Sequence, residues 1–316
     1  MCRFENIITG DKMIKAMSYG AVLWDIADGE KHIGGCTLNL AAHLRKLGMQ
    51  TYMYTKLGCD NLGDEAVREI EKLKVNTDFI QRDGSKNTGY AKIVLDQKKV
   101  PTYEFAPKAS HEYIEVDEEQ IERVKKEQID LFCYGTYCQS GVETRENLKK
   151  LLEACKFPTV FCDINLRVSD PEQQMIENSI RPADILKLNE EEVLVLAKTL
   201  YGENMEEQRA AEKMLKDYGI RLICVTKGEK GCTLYQQDGP RVDVKAAVVD
   251  TVDTVGAGDA FGAAFLWSCY QGLSLEKCAE NGNLLGGYVA TQKGAIPEYT
   301  EEILRALGTG EVQNHD

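Results

Sequence analysis

The stretch Asp253-Thr254-Val255-Gly256-Ala257-Gly258-Asp259-Ala260-Phe261 carries the strongest chemical signal in the 316-residue sequence. Two glycines precede a helix whose apolar face begins at Phe261, Ala264 and Phe265. Main-chain N–H groups at such a helix start bind phosphate without basic side chains. Asp259 is the unexpected residue there, because a carboxylate repels an anionic ligand. Its presence beside Gly256 and Gly258 makes sense if it accepts a proton from an attacking hydroxyl. The structural alternative is an N-cap Asp after a tight glycine turn.

Three further polar clusters each follow a strand-like run: Asp163-Ile164-Asn165-Leu166-Arg167 after 159–162, Asn189-Glu190-Glu191-Glu192 after 185–188, and Thr226-Lys227-Gly228 after 222–225. Parallel sheets place their ligands at such strand ends, so four clusters are expected to converge on one edge. The planar cation of Arg167 suits the oxygens of a transferring phosphate, and Asn189 and Glu192 supply hard oxygen donors for Mg²⁺, held through water. Taken singly, Glu190 to Glu192 is the acidic first turn of a helix and Arg167 a surface ion pair. An N-terminal group adds short polar side chains suited to sugar hydroxyls: Asp25, ending a first strand run, and Gly34-Gly35 ahead of Asn39, which opens a helix. His32 and His43 are read as surface or helix-face residues.

The elements that position these groups alternate. Apolar β-rich runs at 16–24, 131–134, 159–162, 185–188 and 222–226 are separated by helix-length segments, the pattern of a parallel α/β sheet. Leu40, Leu44 and Leu47, closed by Gly48, form one helical stripe; Asn61 with Asp64 caps another carrying Val67, Ile70 and Leu73. Residues 88–107 differ, reading as two strands around a turn at 97–101. The expectation is one α/β domain over 1–316, with an inserted β lid at about 88–107 plus an N-terminal part at about 25–34.

Composition narrows the class. With 38 basic against 51 acidic residues and a formal charge of −13, nucleic acid or an anionic membrane is disfavoured as a partner. Eleven cysteines without a CxxC pair, beside four histidines, read as reduced core thiols. No apolar run approaches a membrane span and the first residues lack a signal-like apolar core, so a cytoplasmic home is expected.

With these residues in place, the sequence resembles the ribokinase-type (PfkB) carbohydrate kinases from about Ser18 to Pro297. GGCTLNLAAHLRKLG followed by KLGCDNLGDE is similar to the family's first signature, with Gly34, Gly35, Asn39, Gly48, Gly58, Asp60 and Gly63 at its spacing; DTVGAGDAF is similar to the second. The resemblance implies a three-layer, doubly wound, mostly parallel sheet with a small β-sheet lid, an ATP-dependent sugar kinase, a base at Asp259 and an anion hole at Gly256, Ala257 and Gly258. It implies a metal-site NxxE motif at Asn189 and Glu192, nucleotide contacts at Thr226, Lys227, Gly228 and Asn283, and a potassium ion for which Asp253 and Val255 are candidates. It further suggests a homodimer through the lids, with Tyr90, Ile93 and Phe105 as contacts.

DINLR with the following ILKLNEEE is most similar to fructokinase-like members, whereas Cys36-Thr37-Leu38 is similar to 2-keto-3-deoxygluconate kinases; ribokinase is a third reading. Of other classes, a nicotinamide oxidoreductase is opposed by Asp259 facing the pyrophosphate, and a P-loop kinase by the lack of GxxxxGK[ST]. A non-catalytic sugar or nucleotide sensor would need no base.

Overall fold

A computed structural model describes residues 12–27, 30–95, 101–167 and 171–309. In chain order its first elements are β1 (Lys15–Tyr19), β2 (Leu23–Ala27), β3 (Glu30–Gly34), α1 (Cys36–Lys46), β4 (Gln50–Gly58), α2 (Asn61–Lys72), β5 (Ile80–Asp83), β6 (Gly89–Leu95) and β7 (Pro101–Phe105). Then come α3 (Glu118–Glu127), β8 (Leu131–Gly135), α4 (Val142–Ala154), β9 (Thr159–Asp163), α5 (Gln173–Ile180), β10 (Ile185–Asn189) and α6 (Glu190–Tyr201). The last group is α7 (Glu207–Tyr218), β11 (Leu222–Thr226), β12 (Cys232–Gln236), β13 (Val242–Val244), α8 (Ala257–Tyr270), α9 (Leu275–Ala290) and α10 (Glu301–Leu307).

Nine strands form one sheet in the order β13-β12-β11-β10-β9-β8-β1-β4-β5. The strands from β11 through β5 in that order run parallel, and β12 and β13 are antiparallel at one edge. Chain order reverses between β1 and β8, so a crevice opens outside the carboxyl ends of the central strands. Alternate residues of each strand feed two cores. Phe132 and Tyr134 of β8 join Leu186 and Leu188 of β10 beneath α3 to α7. Leu131 and Cys133 join Phe161, Ile185 and Leu222 beneath α1, α8 and α9. Both faces are covered, which is why these strands read as continuous apolar runs.

The second sheet has the order β3-β2-β6-β7, with β2 and β6 parallel and the outer pairs antiparallel. Its N-terminal strands, β2 and β3, lie within 23–34, beside the 25–34 read from the sequence. The run at 16–24 is not one strand: β1 ends at Tyr19, the Gly20 N–H bonds Tyr54 O, and β2 starts at Leu23 in the other sheet. Asp25 is therefore on the second sheet rather than at the end of the first strand. Residues on both sides of the break are buried, so apolarity continues across it and hides it. The expected turn at 97–101 falls mostly on residues 96–100, outside the described residues.

Three smaller readings change. The helix that holds Asn39 opens at Cys36, three residues earlier. Asp60, not Asn61 or Asp64, caps α2, accepting from Gly63 N at 2.7 Å. His43 is fully buried, whereas His32 is exposed as expected. All ten described cysteines are free, eight of them buried.

Candidate active site

Asp259 lies in the first turn of α8, 8% exposed, and it is not that helix's N-cap. Gly256 takes the cap position at φ +78°, and a Cβ there would come within 2.6 Å of the Ala295 backbone. Only glycine satisfies both the left-handed turn and that close approach. Gly256 and Ala257 are half-buried and Gly258 is exposed, and the Ala257 N–H donates to Thr254 O at 3.2 Å inside the turn.

Asn39 Nδ2 donates to Asp259 Oδ2 at 2.8 Å, joining α1 to α8. The Asn39 Oδ1 is buried and has no hydrogen-bond partner among the described residues. An orphaned buried acceptor beside a buried carboxylate points to a missing donor, such as a ligand hydroxyl. Burial, then the Asp163 carboxylate, push the Asp259 pKa up to about 7, against the lowering effects of Asn39, Lys187 and Arg167. A carboxyl tuned near neutrality in a crevice is suited to proton transfer.

Beneath Asp259 lies an ion pair to which the sequence reading assigned no role. Lys187 Nζ, from the middle of β10, donates to Asp163 Oδ2 at 2.8 Å, and both residues are 7% exposed. Burial would lower the Lys187 pKa, but the Asp163 carboxylate outweighs it and keeps the ammonium charged. A Cβ on Gly258 would come 3.5 Å from Lys187 Nζ, which places the ammonium close under the glycine turn. The available signal was a single lysine inside the apolar strand ILKLN, where an unpaired charge is prohibitively costly.

Arg167 is exposed, beyond the end of β9, and its positive charge acts on Asp259, Asp25, Cys36 and Tyr137. Asp25 is half-buried; burial raises its pKa while Arg167 and His32 oppose the shift. Its Oδ2 would lie 2.7 Å from a Cβ on Gly34, so the glycine leaves room for the carboxylate. Tyr137 follows β8 and was not singled out from sequence; its ring contacts His111 at 5.4 Å and Phe105 of β7 at 6.3 Å between centroids. Cys36 and Gly35 complete this side at the start of α1.

The NxxE group resolves into a reciprocal cap. Asn189 Oδ1 accepts from the Glu191 and Glu192 N–H groups, while Glu192 accepts from Asn189 N and Leu166 N at 2.8 Å each. The acidic-first-turn alternative is thus structurally real, yet buried Glu192 also ties β10 to the loop leading to Arg167. Burial, then Asp163, raise its pKa. Thr226 pairs with Asn189 in register, while Lys227 is engaged by Glu207 at 2.7 Å and Thr233 at 2.8 Å. Gly228 is exposed just beyond β11, and Asn283 on α9 bonds Val244 O at 3.3 Å. Asp253 accepts from Val255 N and Gly294 N, tying the glycine turn to the segment after α9. No described contact joins Lys227 or Asn283 to Asp259.

The sequence matches the model of the pfkB family carbohydrate kinases over residues 5–302. The chain belongs to that family. This sugar kinase is 32% identical over 282 residues to a sugar kinase of Pyrococcus horikoshii, covering 86% of this chain and 85% of the other. It is 28% identical over 278 residues to fructokinase-2 of Zea mays, covering 84% and 81%. In fold it is similar to a Vibrio cholerae fructokinase solved with fructose, ADP and a potassium ion, at TM-score 0.79 and 21% identity over 95% of this chain and 99% of the other. The ribokinase-like α/β fold expected from the two signatures is the fold observed.

Proposed function

We propose that this kinase transfers the γ-phosphoryl group of ATP to a hydroxyl of a small sugar, with fructose the leading acceptor. The observation that carries this reading is a buried carboxylate, pKa about 7, in the first turn of a helix that opens on a glycine turn, gripped by an asparagine with an orphaned acceptor. Asp25, Gly34, Gly35 and Asn39 form the sugar side. A sugar hydroxyl that donates to Asn39 Oδ1 brings the neighbouring hydroxyl beside Asp259, which takes the proton of that second hydroxyl as its oxygen attacks the γ-phosphorus and ADP leaves. The Gly256, Ala257 and Gly258 turn and Arg167 spread the charge of the transferring group.

Asn189, Thr226, Lys227, Gly228 and Asn283 form the nucleotide side. Lys227 leaves Glu207 if it reaches a phosphate. Among the described residues no three His, Cys, Asp or Glu side chains gather into a metal site. Asn189 Oδ1 and both Glu192 oxygens already accept backbone N–H groups, so they would hold Mg²⁺ through water, together with ATP oxygens, where it would neutralise phosphate charge. Asp253 and Val255 border the candidate potassium site, supported by the ion in the Vibrio cholerae fructokinase structure.

The second sheet acts as a lid over the sugar side of a single domain, its Phe105 ring already against Tyr137. Lid closure would exclude water from ATP. A homodimer through two such sheets is part of this proposal, with Phe105, 45% exposed, as its contact. Tyr90 is partly spent on packing beneath the sheet, and the Ile93 side chain is outside those described. Light scattering checks the dimer, a monomer mass refuting it. Among the described residues no helix is long and apolar enough to cross a membrane, and a cytoplasmic site of action is proposed with the activity.

A panel of fructose, ribose, tagatose and 2-keto-3-deoxygluconate with Mg-ATP, read as coupled ADP release, tests the assignment. Fructose turnover above the others supports it; a preference for ribose or the keto-acid sugar moves the chain to another branch of the family. Asp259→Asn should reduce turnover by about 10²–10⁴ while ATP affinity stays within a few fold. Turnover close to the unsubstituted kinase would remove Asp259 from the base role.

A further inference from the structure

We propose that His43 is a positioning residue that fixes the anion-hole turn from behind, coupling the sugar-side helix to the segment that follows α9. The inference rests on the reading of Gly256 to Gly258 as that anion hole. His43 stands one helical turn after Asn39, and i, i+4 residues share a face of a helix. α1 therefore reaches α8 by two routes. Asn39 grips Asp259 directly, and His43 grips Ala295, against whose backbone Gly256 is packed with no room for a Cβ.

Both ring nitrogens are used. His43 Nε2 lies 2.9 Å from Ala295 O, which can only accept, so Nε2 carries the proton. Nδ1 is then the acceptor, and the Tyr299 O–H donates to it at 2.5 Å. The two rings lie nearly parallel, 5° apart in plane and 5.9 Å between centroids. The residue is 0% exposed, and burial, with Lys46 nearby, holds its pKa down at about 4 against the opposing Ala295 bond, which keeps the ring in the neutral form these bonds require. Lys46, on the same helix, adds a bond to Pro297 O and an ammonium over the Tyr299 ring.

A packing role alone would be met by an apolar side chain, without the desolvation of two ring nitrogens. What an apolar residue cannot do is hold the Ala295 carbonyl. That carbonyl lies where a Gly256 side chain would be, and Asp253 secures the adjoining Gly294 N–H from the other side. The turn is thereby clamped between α1 and the segment 294–299. Displacing Ala295 releases Gly256 and misaims the N–H groups that meet the phosphoryl. Positioning errors of about 1 Å are enough to cost two orders of magnitude in rate.

The full-length protein serves for the test, with His43→Leu, His43→Gln and Tyr299→Phe. Expected for His43→Leu is a 10- to 100-fold fall in kcat with the sugar KM within about threefold, measured well below its melting temperature. His43→Gln, whose amide N–H can replace the bond to Ala295, should recover most of the rate even where its melting temperature is no higher. Tyr299→Phe should lose less than His43→Leu. A folded His43→Leu within twofold of the unsubstituted kcat overturns the proposal, as does a glutamine variant no faster than the leucine one. Should His43→Leu not fold, ¹⁵N NMR of the unsubstituted protein decides: a protonated Nε2 with bare Nδ1 supports the clamp, and the opposite tautomer overturns it. The NMR readout needs no turnover, so a chain inactive on every sugar would fail the kinase reading while leaving the His43 geometry separately measured.

Discussion

The side-chain amide of Asn39 donates to the carboxylate of Asp259 at 2.8 Å across 220 positions of sequence. The bond stabilises the ionised carboxylate in a site that burial and Asp163 make unfavourable to it. Under the proposed function, Asn39 would join sugar binding to the readiness of the base.

The pH dependence follows from that balance. Asp259 must be ionised to take a proton, so kcat/KM should rise as pH increases through about 7 and level off above it. Asn39→Ala removes a lowering influence and should move this acidic limb to higher pH. An unmoved limb in an active variant would mean that another group sets it.

Stability should respond with the opposite sign. The folded pKa of Asp259 lies above the unfolded value of about 3.9, so the folded chain binds more protons between the two, and this contribution to stability declines as pH rises from about 4 to about 7. Asp259→Asn removes the cost of the buried charge. It should raise the melting temperature at pH 8 by at least about 2 °C and by less at pH 4.5. Equal shifts at both pH values would argue against a raised folded pKa.

The Asp163 and Lys187 pair should be strongly coupled. Removing either charge strands the other at 7% exposure, at a cost of about 3–5 kcal/mol, whereas Asp163→Asn with Lys187→Met should recover much of it. Denaturant unfolding of the two single variants and the double variant closes the cycle, and additive losses would show that the pair is not coupled.

Gly256→Ala tests the turn itself. The left-handed conformation and a 2.6 Å approach to the Ala295 backbone leave no place for a methyl group, so a loss of about 1–3 kcal/mol is expected, with a larger proportional loss in kcat than in sugar affinity. Unchanged kcat would show that the turn does not aim the phosphoryl.

Local order and local chemistry made much of this protein legible in one dimension. Apolar runs at regular separations foretold the parallel sheet because strands covered on both faces need no polar alternation. The polar residues immediately after 159–162, 185–188 and 222–225 do follow neighbouring parallel strands, whose carboxyl ends lie along one edge of the sheet. The Gly-Ala-Gly-Asp order implied a tight turn at a helix start because a left-handed N-cap and an uncrowded approach are properties of glycine itself.

Tertiary structure decided what depends on long-range partners. It separated Asp25 from β1, since burial on both sides of Gly20 leaves no mark of a change of sheet. It paired Lys187 with Asp163 and Asn39 with Asp259, and turned His43 from a helix-face residue into a buried clamp on Ala295. Whether a polar side chain is a surface group or a buried one depends on what the folded chain brings against it, and sequence spacing holds no record of contacts made across 24, 220 or 252 positions.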